Sequence, residues 1–509
     1  MKTMRMKERV SNRRRRMTAC LLAIAGAGNV FAASGDWKDN RETAWPNNGN
    51  VNGNVYTINT ARELAQFAFT VSTAPVNAYA GKTVVLAEDI DLSERYWQPA
   101  GTDFKGVFDG NGKTVTGMTI TLAALNTAYA GGLFASLAAD AVVRDLTLEA
   151  VDIQFDVYGS FNITVGSITG GTPGASSSGF ATIENCRVDG VINTRNAWTG
   201  GGASRVGGIV GELDNGSVVR DCVSSVSVTA SGRSVSVGGI VGNLRTKSRA
   251  WNILNMGPIH GTSIVSGQAA NVGGLVGLMT YTTGHNDVYI ANGFSTGSVA
   301  AAGSGTKYVG GVVGYGAGVS TSVANLYWLT DLAAKAFGQI ATGTLPGSVI
   351  AVDAPAPGEL VSTHSVYNTK ILLSALNTWA VANSGDGYLG WTIKNGVNGG
   401  YPVLDRVYPN EISEQFLSVS AIDVVQAAGS VTLRWAPAQI EGTLIHYEIF
   451  ATDDLALDIA GWDVYAHDGA VVVIDDLGTA EHTVTLKPAL LDNPLGDKGF
   501  FKVKAVTQH

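Results

Sequence analysis

The chain has 509 residues, of which 64 are glycine and only 15% are charged, with a formal net charge of −8. Sparse charge on a glycine-rich chain points to a β protein surfaced by Ser, Thr, Asn and Gly, and away from an α/β enzyme. The acidic balance argues against nucleic acid and anionic membranes as partners.

Residues 1–16 hold eight basic residues (Lys2, Arg5, Lys7, Arg9 and Arg13 to Arg16) against Glu8, followed by a small, apolar run from Met17 to Gly28 and by Val30-Phe-Ala32. That is the pattern of a secretory signal peptide over residues 1–32, and its apolar run is too short to span a membrane. Cys20 precedes most of that run, which argues against a lipid-anchoring role. Without the leader, 26 basic and 41 acidic residues remain, a net charge near −15. No later segment approaches transmembrane length.

Residues 33–129 read as an N-terminal cap and the first strands. An Asn/Gly-rich lead-in precedes Thr60-Ala-Arg-Glu-Leu-Ala-Gln-Phe-Ala-Phe69, an amphipathic helix with Thr60 as N-cap and Glu63 completing a capping box. Such a helix suits the end of a stacked array, where it covers the otherwise exposed core.

Residues 130–320 are organised by one returning phrase. It reads Ala130-Gly-Gly-Leu-Phe-Ala135, Val165-Gly-Ser-Ile-Thr-Gly170, Val206-Gly-Gly-Ile-Val-Gly211, Val237-Gly-Gly-Ile-Val-Gly242, Val272-Gly-Gly-Leu-Val-Gly277 and Val309-Gly-Gly-Val-Val-Gly314, at intervals of 31 to 41 residues. A period in this range signifies stacked repeats. A second phrase follows the first: Val142-Val-Arg-Asp-Leu-Thr-Leu148, Ile183-Glu-Asn-Cys-Arg-Val188, Val218-Val-Arg-Asp-Cys-Val-Ser224 and Val288-Tyr-Ile-Ala-Asn-Gly-Phe294. Its β-branched residues alternate with polar ones, the pattern of strands.

A solenoid rung of three short strands and three turns needs roughly 20–27 residues. Each repeat is therefore expected to be one rung plus a protruding loop, the longest being residues 170–179. In-register stacking predicts a single ladder of Leu133, Ile168, Ile209, Ile240, Leu275 and Val312, with Cys186 and Cys222 in neighbouring rungs, bridged or unpaired.

These phrases, above all Val237-Gly-Gly-Ile-Val-Gly242 and Val272-Gly-Gly-Leu-Val-Gly277, resemble the GLUG-motif repeats of bacterial surface and secreted proteins. The flanks Gly81-Lys-Thr-Val-Val-Leu-Ala-Glu-Asp-Ile-Asp-Leu92, Phe108-Asp-Gly-Asn-Gly-Lys-Thr-Val115 and Gly399-Gly-Tyr-Pro-Val-Leu404 extend the resemblance over residues 55–405. It implies a fold and a cell-surface setting, as in haemagglutinin-like adhesins, and names no substrate.

Residues 321–410 are read as the C-terminal closure, with a helix over Lys370-Ile-Leu-Leu-Ser-Ala-Leu-Asn-Thr-Trp-Ala380 that places Leu372, Leu373, Leu376 and Trp379 on one face. Residues 413–509 carry short alternating strands, including Val431-Thr-Leu-Arg-Trp435, His446-Tyr-Glu-Ile-Phe450 and Phe500-Phe-Lys-Val-Lys-Ala-Val506, as expected of a β-sandwich. Leu433-Arg-Trp435, Tyr447 and residues 501–506 resemble a fibronectin type III module. The expected fold class is thus all-β: a right-handed parallel β-helix with a C-terminal β-sandwich.

The search for chemistry assigns no catalytic, cofactor-binding or metal-ligating residue, and no cofactor is expected. The seven histidines form no His-Glu-x-x-His phrase. Gly293-Phe-Ser-Thr-Gly297 fits the nucleophile-elbow pattern, but a strand follows it where a helix is required. Gly385-Asp-Gly-Tyr-Leu-Gly390 sits after a helix and before a strand, the reverse of a dinucleotide site. Gly112-Lys-Thr114 lacks the upstream glycine of a phosphate loop. Asp89, Asp91, Asp103 and Asp109 form a weak calcium or acid candidate, against solvated strand carboxylates.

The expected function is a secreted or surface-displayed, adhesin-like scaffold that binds an extracellular glycan or protein without chemistry, with no nucleic acid and no membrane insertion; a periplasmic location is the variant of that setting. The alternatives are a carbohydrate-active β-helix enzyme and a structural envelope protein. Tyr327, Trp328, Trp379, Tyr388 and Trp391 are candidates to stack on sugar rings, with most of them expected in the core.

Overall fold

The computed structural model describes residues 35–404 except 48, 75–77, 124–128, 175–177, 281–287, 318–322, 330–331, 343–344, 346–347, 353–364, 367–369, 384–386, 393–396 and 399–400. Beyond 404 it describes the backbone of seven strands between Ile412 and Gln508. The proposed signal peptide lies outside the described residues.

The repeat beginning at Val206 spans four strands, Ser204–Gly207, Val210–Leu213, Val218–Ser224 and Ser227–Gly232. The next repeat reproduces them as Val235–Gly238, Val241–Leu244, Arg249–Asn255 and Ile259–Ser263. Counterparts pair in parallel and in register: Val206 with Val237, Val210 with Val241, Cys222 with Ile253 and Val228 with Ile259. Repeated along the array, this builds three sheets of 6, 7 and 19 strands, parallel except for the antiparallel pair Val51–Asn52 with Val55–Ile58, the largest taking two strands from each repeat.

One expectation is corrected here. The residues beyond a three-strand rung do not all go into a protruding loop; they form a fourth strand. The third strand turns at a residue in the left-handed region, Asp221 at φ 54°, and the fourth continues in the same sheet. Asp and Asn tolerate that conformation better than other side chains, so a polar residue marks the corner.

The predicted ladder is present. The N–H of Ile168 donates to the carbonyl of Ile209 at 3.1 Å, Ile209 to Ile240 at 3.0 Å, Ile240 to Leu275 at 2.9 Å and Leu275 to Val312 at 2.9 Å. These residues and Leu133 are at most 1% exposed. Burial of each such aliphatic side chain contributes about 1.5–3 kcal/mol. The glycines beside them are required by close approach of backbones: a Cβ on Gly239 would collide with the carbonyl of Gly274 in the next rung and with the side chain of Asn255.

Helix α1, Ala61–Thr73, buries Leu64, Ala65, Phe67 and Ala68. Thr60 Oγ1 accepts the N–H of Glu63 at 3.3 Å, but the Glu63 carboxylate reaches back one residue further than expected, to the N–H of Asn59 at 2.6 Å. Phe67 packs edge-on against Tyr79, Phe104 and Phe134, with centroids 5.1, 5.6 and 6.1 Å apart.

Helix α2, Leu372–Ala382, buries Leu372, Ala375 and Leu376, and with Trp391, Tyr401, Val403 and Leu404 it covers Val223, Leu254, Phe294 and Tyr327. Those four belong to one column of successive rungs. Residues 372–404 thus lie along the flank of the array. The C-terminal strands form two antiparallel sheets, of four and three strands.

Candidate functional site

The site is built on the corner column of the largest sheet. Asp145, Asn185, Asp221, Asn252, Asn292 and Asn325 all have φ between 49° and 54°, and their side chains stack from rung to rung. Asn252 Nδ2 donates to Asp221 Oδ1 at 2.6 Å and Asn292 Nδ2 to Asn252 Oδ1 at 2.6 Å; Asn185 bonds to Asp145, and Asn325 to Asn292. The ladder also binds the flanking segment: Leu389 N–H donates to Asp221 Oδ1 at 2.9 Å, Trp391 Nε1 to Asn252 Oδ1 at 2.6 Å, and Asn325 Nδ2 to the carbonyl of Ala375 at 3.2 Å. Burial pushes the Asp221 carboxyl above the usual range, against the bonds from Asn252 and Leu389 and the charge of Arg220.

This docking brings five side chains from separate stretches into one surface. The Arg249 guanidinium lies over the rings of Trp251 and Tyr289, 5.1 and 5.7 Å from their centroids. Trp251 meets Tyr388 at 6.1 Å, and Tyr388 meets Trp379 at 5.0 Å. Arg220 lies over the Tyr388 ring at 5.7 Å while bonding Glu184 Oε2 through Nε and Nη2 at 2.9 and 2.7 Å. All four rings are half-buried and Arg249 is exposed. Chemically, half-exposed aromatic faces with guanidinium edges between them offer stacking and charged donors.

Of the aromatic residues singled out by the sequence, Tyr327, Trp328 and Trp391 are 2, 8 and 4% exposed and belong to the core, whereas Trp379 and Tyr388 are in the surface. Sequence reasoning missed Arg249, Trp251 and Tyr289. The signal was available: Arg249 and Trp251 pair with Val218 and Arg220, outward positions held in earlier rungs by Val142 with Arg144 and by Thr182 with Glu184. Large aromatic residues at such positions mark an unusual surface.

The structure does not gather the carboxylate candidates into a site. Asp89 Oδ1 accepts the N–H of Thr114, Asp91 Oδ1 that of Ser93 and Asp109 Oδ1 that of Asn111, each at 2.8 Å, and Asp103 Oδ1 accepts from Ser136 Oγ at 3.1 Å. Asp109 also pairs with Arg144 at 2.8 Å. Among the described residues no group of three His, Cys, Asp or Glu side chains is placed to hold a metal. Ser295 is 2% exposed within a strand, so residues 293–297 form no nucleophile elbow. Residues 385–390 lie partly outside the described residues. Cys186 and Cys222 occupy neighbouring rungs, as the paired residues Glu184 with Arg220 and Arg187 with Val223 require, and both are buried free thiols.

The class so defined is an all-β protein of parallel sheets assembled from glycine-rich repeats. Residues 202–229 match the family model described as "The GLUG motif", so the repeat array carries a GLUG motif. No curated protein matches the chain. A solved structure described as a "putative immunoglobulin A1 protease from Bacteroides ovatus" is similar at 18% identity and a TM-score of 0.43, covering 70% of this chain and 94% of its own.

Proposed function

We propose that this protein is an exported, non-catalytic binding scaffold, secreted or displayed at the cell surface, and that it holds an extracellular glycan on the surface formed by Tyr289, Arg249, Trp251, Tyr388 and Trp379. The observation that carries this reading is the continuous run of half-exposed rings and a guanidinium across two rungs and the flanking segment. Ring faces suit the C–H faces of sugars, and a rigid stacked array holds them at fixed spacing. The leader-like residues 1–32 support export, and a host or cell-surface glycoprotein is a natural carrier of such a glycan. The reading places a right-handed β-helix before a fibronectin type III-like β-sandwich at residues 413–509, which has the antiparallel strands that such a module needs.

The test is a glycan array probed with the full-length mature protein and with Trp251→Ala, with product analysis on every ligand that binds. Retention on specific glycans, lost in the variant and without released oligosaccharides, supports the reading. Oligosaccharide release would instead favour the carbohydrate-active enzyme.

A further inference from the structure

We infer that this surface selects anionic glycans, those bearing carboxylate or sulfate groups, through Arg249; the inference rests on the glycan-binding reading above. The chain is acidic, with 42 Asp and Glu against 34 Lys and Arg. Most arginines of the array have a carboxylate beside them: Arg144 pairs with Asp109, Arg187 with Glu149, Arg195 with Asp156, Arg205 and Arg245 with Glu212, and Arg220 with Glu184. Among the described residues neither the half-buried Arg233 nor Arg249 forms such a pair, and of the two it is Arg249 that lies over aromatic rings. It is exposed, and among the described residues it forms no ion pair; its neighbours are the rings of Trp251 and Tyr289.

The arrangement matters chemically. A guanidinium held over rings leaves its planar fork of N–H groups to match the two oxygens of a carboxylate or sulfate. A guanidinium is also more weakly hydrated than an ammonium, which favours its pairing with such an anion over that of a lysine. The neighbouring Arg220 is already bound to Glu184 through two nitrogens, so it supplies a ring contact to Tyr388 and little free charge. Arg249 is therefore the selecting group, and Trp251, Tyr388 and Trp379 supply stacking common to neutral and charged sugars.

The experiment uses full-length protein titrated calorimetrically with oligouronates, with sulfated oligosaccharides and with neutral oligosaccharides of matched linkage and length. Tighter binding of an anionic series is expected, by about ten- to a hundredfold, the span of a charge-assisted pair. The Arg249→Gln variant should lose that preference, binding the anionic and neutral series alike, with an unchanged melting temperature. Arg249→Lys should recover only part of it, and Lys307→Gln, which removes an exposed charge elsewhere, should leave it intact. The uronate and sulfate arms separate the two sources of negative charge. Equal binding of neutral and anionic ligands, or an anionic preference unaffected by Arg249→Gln, overturns the inference and leaves the glycan reading standing. Absence of binding to all three series and to a glycan array overturns both.

Discussion

Asp221 Oδ1 accepts the backbone N–H of Leu389 at 2.9 Å, joining residues 168 positions apart. The same oxygen accepts Asn252 Nδ2 at 2.6 Å, so one carboxylate ties a corner of the array to the segment on its flank. The ladder is interrupted on the other side of this residue. Asn185 Oδ1 is buried with no partner, and the neighbouring rung presents Asp221, which when ionised has no hydrogen to donate.

Asp221→Asn is therefore expected to stabilise the protein at neutral pH. Its amide supplies a donor toward Asn185, keeps an oxygen for Asn252 and Leu389, and removes a buried charge; satisfying an orphaned acceptor is worth about 1–3 kcal/mol. The pH dependence follows from the raised carboxyl. The unfolded chain ionises at the ordinary value and the folded chain only at higher pH, so wild-type stability falls as pH rises between those two points and stays lower above them. Melting curves across this window should show the variant's advantage at neutral pH shrinking in acid. An equal advantage at all pH values would refute the titration of Asp221, and Asp221→Ala should be destabilising throughout.

Gly239→Val should cost about 2–4 kcal/mol, because the added atoms meet the Gly274 carbonyl and the buried Asn255 side chain. Gly174→Val is the control. A Cβ there meets nothing within 4 Å, and the position is exposed. Urea denaturation of the two variants compares them directly; equal midpoints would contradict the stacking of rungs at residue 239.

The glycine columns were legible in the sequence because backbone approach disfavours a side chain there and the requirement recurs along the array, with Ser167 the one substitution in the column of Gly208 and Gly239. The corner column was visible only as letters. Asp145, Asn185 and Asp221 stand inside the repeated second phrase, but their role depends on bonding between rungs whose separations along the chain vary. The flank was hidden for a different reason. A strand covered on both faces loses its alternation, and Val223, Leu254, Phe294 and Tyr327 look like extra core until the covering residues 372–404 are placed. The surface around Arg249 needs that placement too, since Trp379 and Tyr388 come from the flanking segment.

Cys186 and Cys222 should resist thiol reagents in the folded protein and react once it is unfolded without reductant. Both are fully buried, which denies a reagent access, and burial beside Cys186 pushes the Cys222 thiol well up, so almost no Cys222 thiolate is present. Mass spectrometry after iodoacetamide, with and without denaturant, distinguishes the cases. Rapid labelling of the native chain would contradict the packing of these two rungs.

Trp391→Ala should release the flanking segment while leaving the array folded. The indole donates to Asn252 Oδ1 at 2.6 Å, and its ring packs in the small core that joins residues 372–404 to the column from Val223 to Tyr327. Asn252 Oδ1 keeps the bond from Asn292, so the ladder survives the change. Removing a buried tryptophan side chain costs about 3–5 kcal/mol, enough to open a segment held by one modest core without unfolding a column of stacked rungs. Hydrogen exchange should therefore accelerate at residues 372–382 and 388–392 and stay slow at residues 237–244. Because Tyr388 and Trp379 move with that segment, glycan retention should weaken in the same variant. Uniform acceleration across both regions would show that the flank and the array unfold as one unit.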